Sequence, residues 1–183
     1  MKVKNFKRLS RVLEAIFKVQ SIIVGLMAVF IVIGLITGMK QDVVKSLNLS
    51  VDGINLFSGG GGKGHLANSD HYLALCVSGF FKRGVQSYIL WQAGIFFSIM
   101  RYEKQPFTLT VYRLLRKIGI MLIAVDIIAP LIYYIIINVL MTSGYQIVIG
   151  TFTAQSVIGL VIYFMAEVIR YGITLQKFTN DVV

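Results

Sequence analysis

The forty residues from Ile127 to Ala166 contain no Asp, Glu, Lys or Arg. A water-facing surface cannot be built from such a stretch, and it is twice the roughly 20 apolar residues that one helix needs to cross a bilayer. It therefore reads as two membrane spans joined by a turn, which the small and polar residues Thr142-Ser143-Gly144-Tyr145-Gln146 supply. The first arm reaches back to Ile118 and takes in Asp126, giving an expected span over 118–141. The second is expected over 147–169.

The same ruler finds two further spans. Val19 to Met39 is free of charge for 21 residues, between Lys18 and Lys40. Gly84 to Met100 is free of charge for 17 residues, between Arg83 and Arg101. These predict spans over 19–39 and 84–101, the second lengthened by snorkelling arginines. The first run exceeds the about 7–15 residues of a signal peptide's apolar region and has no small-x-small cleavage site before Lys40, so it reads as a retained anchor. The expected fold is all-α: a polytopic membrane protein of four transmembrane helices in one domain, residues 1–183.

Composition agrees, because only 14% of residues are charged whereas a soluble domain has about 25%. The net charge of +10 would suit a nucleic-acid binder, but the cations flank apolar runs, so no direct nucleic-acid contact is expected. Their place is among the anionic headgroups of a bilayer. Thirteen Lys and Arg fall on one side of the four spans and five on the other. The richer side is the cytoplasmic one. Both termini and an inner basic loop, 101–117, then face the cytoplasm of a cell membrane, and an outer loop, 40–83, faces away from it. A single cysteine, Cys76, excludes an intrachain disulfide.

The outer loop contains Ser58-Gly59-Gly60-Gly61-Gly62-Lys63-Gly64, expected to be flexible. It is not a phosphate-binding loop, because Gly64 stands where Ser or Thr would hold a metal. The apolar run Tyr72 to Phe81 is too short to span. It either lies in the interface or extends the second span as a helix. His65, Asp70, His71 and Cys76 match no zinc spacing, so no metal site and no cofactor are expected. In the inner loop, Thr108 or Thr110 can cap a helix in which Arg113, Arg116 and Lys117 share one face. Leu114, Leu115 and Ile118 mark its other side. That basic face suits headgroup anchoring or the docking of a cytoplasmic partner.

Asp126 is the most informative residue within a span. A carboxylate at mid-helix costs about 2.5–3.5 kcal/mol to insert, so it should face the bundle interior. Pro130, four residues on, has no N–H for the Asp126 carbonyl and predicts a kink beside a polar pocket. Glu167 reads as an i,i+3 partner of Arg170 at the inner end of the fourth span. Gly34 and Gly38 form a small-xxx-small pair that permits close helix contact, and a second copy of the chain is an admissible partner. No nucleophile-base or paired-carboxylate arrangement shares a depth, so the chain is not expected to be an enzyme.

Three segments carry a family resemblance: Glu103-Lys104-Gln105-Pro106-Phe107, Arg113-Leu114-Leu115-Arg116-Lys117-Ile118-Gly119, and Glu167 through Gln176. Over about residues 85–183 the chain resembles domain-of-unknown-function family 2975, small bacterial membrane proteins with four expected spans. Its tail departs from the pattern, reading Lys177-Phe178-Thr179-Asn180-Asp181-Val182-Val183 where members carry an acidic stretch. Such proteins are often encoded beside a small helix-turn-helix regulator. The resemblance implies a non-enzymatic sensor or membrane tether for a cytoplasmic transcription regulator of that kind. A transport-like or antimicrobial-peptide immunity protein working through Asp126 is the alternative.

Overall fold

In the computed structural model the described residues are 3–37, 54–61, 68–102, 108–140 and 145–181. They form four long helices and one pair of strands: α1 (Val3–Thr37), β1 (Ile54–Gly61), α2 (Asn68–Tyr102), α3 (Leu109–Leu140), β2 (Tyr145–Phe152) and α4 (Ala154–Asp181). Each helix exceeds the about 20 residues that one crossing requires. Three of them, α1, α3 and α4, are long and apolar enough to cross a membrane. Their outward faces are large apolar residues such as Leu26, Ile36, Ile135, Val161 and Phe164, all exposed. Lipid is the solvent for such a surface. The chain is a helical, multi-pass membrane protein.

Consecutive helices run antiparallel, as their side-chain contacts show. Between α1 and α2, Ser10 Oγ donates to the Phe97 carbonyl at 2.5 Å, and Ser21 and Ser87 each donate to the other's carbonyl at 2.7 and 2.8 Å. Farther along, Ile31 packs on Cys76, with Leu35 and Tyr72 around them. Between α2 and α3, Ser78 Oγ donates to the Ala129 carbonyl at 2.8 Å, and Ala74 packs on Tyr133 and Ile137. Between α3 and α4 the contact is backbone on backbone. A Cβ on Gly119 would lie 2.8 Å from the Gly159 oxygen and the Tyr163 nitrogen. Lipid tails are as apolar as leucine, so hydroxyl bonds and close glycine contact hold the helices where burial from water cannot.

Several boundaries differ from the sequence reading. The fourth span, expected over 147–169, does not begin as a helix. Tyr145–Phe152 is β2, and α4 starts at Ala154 and continues twelve residues past 169. Ile147, Val148, Ile149 and Thr151 are β-branched and suit a pleated strand. Their partner is the stretch expected to be flexible: Gly59, Gly60 and Gly61 pair with Ile147, Gln146 and Tyr145 in an antiparallel ladder. Gly62, Lys63 and Gly64 lie outside the described residues, as do Gly38, His65 and the 142–144 part of the expected turn. The inner loop is shorter than expected, because α3 already begins at Leu109 and absorbs the basic segment. Tyr72–Phe81 takes the helical alternative and belongs to α2.

The second span is also placed differently. Ser21 faces Ser87 and Ser10 faces Phe97, so residues 84–101 lie mostly beside the charged first half of α1 and overlap only the start of 19–37. The two charge-free runs are staggered. With Gln86, Ser87 and Gln92 in its run, α2 is not among the three helices apolar enough to cross a membrane.

Candidate functional site

Helix α4 begins at Thr153 for a local reason. The Thr153 hydroxyl accepts from the Gln155 N–H at 3.1 Å, and its carbonyl accepts from Ser156 and Val157 at 3.1 and 3.3 Å. That is an N-cap, and it ends the strand by satisfying the helix's first donors. The capping hydroxyl also donates to Asp126 Oδ2, and Ser156 Oγ donates to the same oxygen at 2.6 Å. Asp126, 2% exposed at the middle of α3, is thus clasped to the first turn of α4. A carboxylate at a helix N-terminus gains up to about 2 kcal/mol from the dipole, and hydrogen bonds to a charged group contribute about 1.5–3 kcal/mol each. Such contacts lower the cost of placing a carboxyl group within the span.

The clasp belongs to a polar band across three helices. Gln155 Oε1 accepts from Gln86 Nε2 at 2.8 Å, and Gln86 Oε1 accepts from Arg83 Nη1 at 3.3 Å. Pro130 lies one turn beyond Asp126, and α3 continues as one helix through it. The sequence reading found Asp126 but not its partners. Their signal was Thr153-Ala154-Gln155-Ser156, a capping threonine before an apolar-periodic run.

A second cluster joins α3 to α4 near their charged ends. The buried Tyr112 donates to Glu167 Oε1 at 3.4 Å and accepts from Arg116 Nη1 at 3.1 Å. Glu167 Oε2 pairs with Arg170 at 3.5 Å, the i,i+3 contact expected from the sequence. Lys117 turns the other way, donating to the Tyr88 hydroxyl of α2 at 2.6 Å with its ammonium 5.0 Å from the ring centroid. Arg113, Arg116 and Lys117 are all exposed, but Arg116 bonds Tyr112 while Lys117 bonds Tyr88 of α2. At the same end Glu14 binds Lys18 at 2.7 Å and Arg101 at 3.2 Å. At the opposite end Tyr133 bonds His71 at 2.8 Å. Among the described residues no three metal-ligating side chains converge.

No protein-family model, no curated protein and no solved structure matches this chain.

Proposed function

We propose that the chain is a four-span membrane tether, both termini cytoplasmic, that holds a small helix-turn-helix regulator at the membrane. The antiparallel order of all four helices supports an even number of crossings, and the Lys/Arg bias puts the charged end on the cytoplasmic side. The partner class rests on the resemblance of residues 85–183 to domain-of-unknown-function family 2975.

The observation that carries the reading is the far end of α4. The helix meets Tyr112, in the first turn of α3, at Glu167 and then continues to Asp181, about 20 Å farther. Beyond that contact Val168, Tyr171, Leu175 and Phe178 are 69%, 76%, 63% and 65% exposed. Their spacing of three, four and three residues makes one stripe, with Arg170 and Lys177 on the same helix. An amphipathic helix offering such anchors is the standard ligand of an apolar protein groove.

The test uses the protein in nanodiscs with a photo-crosslinker at Leu175. A regulator-type chain should be captured, and Phe178→Asp should abolish capture while insertion is unchanged. Capture of nothing, or equal capture by both forms, sinks the tether. The transport-like alternative would need Asp126 to work on a ligand, whereas the contacts of its carboxylate are those of a helix junction.

A further inference from the structure

Where the first turns of α1 meet the last turn of α2, a cleft of about 380 Å³ is lined by Lys7, Arg11, Arg101 and Tyr102. We infer that this cleft is a binding site for the phosphodiester headgroup of an anionic phospholipid. The inference goes beyond the tether reading and requires only that the chain sit in a bilayer.

Three cations face one space, which is unfavourable without a counter-ion. Among the described residues Glu14 compensates this group only in part: its Oε1 is engaged by Lys18 at 2.7 Å, its Oε2 pairs with Arg101 at 3.2 Å, and it makes no ion pair with Lys7 or Arg11. Lys7 and Arg11 are one helical turn apart on α1, so their head groups reach into the cleft as a pair. Arg101 is held from two sides: Nη1 pairs with Glu14, and Nη2 donates to the Tyr102 hydroxyl, whose ring lies 4.3 Å from the guanidinium carbon. The guanidinium keeps further N–H donors, in the planar arrangement that recognises phosphate. The walls are fixed where the cleft forms, because Ser10 bonds the Phe97 carbonyl and Phe17 stacks on Phe97 at 5.4 Å.

The source of the phosphate follows from the neighbouring surface. Leu9, Val12 and Ile16, on the same turns of α1, are all exposed. They lie on the far side of α1 from Lys7 and Arg11, so they mark the depth of these turns and not a wall of the cleft: large apolar side chains exposed at this level put it at the bilayer surface, where phospholipid headgroups are the abundant phosphates. Basic pockets at helix ends on the cytoplasmic side bind polyanionic headgroups by the same physics.

The full chain, in micelles doped with cardiolipin or with neutral phosphatidylcholine, is examined by native mass spectrometry. The normal protein should retain cardiolipin and release phosphatidylcholine. Lys7→Gln with Arg11→Gln should weaken retention about thirtyfold, from about fivefold per basic residue at a membrane surface. Lys7→Arg should retain lipid as the normal protein does. Tyr102→Ala, which leaves every charge in place, should lower retention severalfold, and it decides the matter if the double variant is misinserted by circular dichroism. Three results would each overturn the site: equal retention by the normal and double-variant proteins, an equal loss from Arg113→Gln with Arg116→Gln, or full retention by Tyr102→Ala. Displacement of the lipid by millimolar inorganic phosphate would overturn the lipid as the ligand.

Discussion

Replacing Gly119 by alanine tests the tightest glycine crossing among the described residues. The new Cβ would lie 2.8 Å from the Gly159 oxygen, 2.8 Å from the Tyr163 nitrogen and 3.1 Å from the Tyr163 Cα, all backbone atoms that cannot rotate away. Ordinary contact needs roughly 3.5 Å or more, so α3 and α4 must part by well over half an ångström. Overpacking of this kind costs about 1–3 kcal/mol, while the helix gains about 1 kcal/mol from losing a glycine. The expected net loss is therefore about 1 kcal/mol, rising to about 3 kcal/mol for Gly119→Val. Gly84 is the control: nothing lies within 4 Å of its Cβ position, so Gly84→Ala should stabilise the protein by about 0.5–1 kcal/mol. Gly159→Ala meets Leu122 Cβ and the Gly119 oxygen at the same crossing. Once the helices have separated for one substitution the second costs less, so the Gly119→Ala/Gly159→Ala pair should lose less than the sum of the singles. The assay is unfolding by denaturing detergent in mixed micelles, followed by circular dichroism. If Gly119→Ala proved as stable as Gly84→Ala, the glycine crossing and the placement of α4 on α3 would both be refuted.

Asp126→Asn keeps an oxygen that accepts from Thr153 and Ser156, so it should cost under about 1.5 kcal/mol, whereas Asp126→Ala strips the partner from the buried Ser156 and the half-buried Thr153 and should cost about 2–3 kcal/mol. Equal unfolding midpoints for the two variants would dismiss the clasp, and a correctly inserted Asp126→Asn protein that loses its cellular phenotype would favour the transport-like reading. Ser21→Ala and Ser87→Ala, combined in a double-mutant cycle, should show a coupling of roughly 0.5 kcal/mol, because their two hydroxyls lie 3.3 Å apart. No measurable coupling would mean that the α1–α2 register is different. Reporter fusions after Asn180 should read cytoplasmic and fusions within Gly59–Gly61 external; a cytoplasmic signal from the glycine segment would end the four-span topology.

Helix content and the polarity of each helix end were legible in the sequence, because insertion into a bilayer depends on residue-by-residue solubility and the absence of charge measures solubility directly. The same ruler cannot measure backbone conformation. Tyr145–Phe152 is as free of charge as the helix after it, and only its pairing with Ile54–Gly61, some ninety residues earlier, makes it a strand. Glu167 and Arg170 were readable as a pair because they are three residues apart on one helix, whereas the Tyr112 bond to Glu167 spans 55 positions and depends on how α3 and α4 cross. Asp126 stood out in the sequence by its cost in lipid, but its partners Thr153 and Ser156 are ordinary residues until the glycine crossing brings the first turn of α4 beside it. The stagger of α1 against α2 was likewise settled in three dimensions, where hydroxyls at Ser10, Ser21 and Ser87 found carbonyls at one register and charge-free lengths carried no information about it.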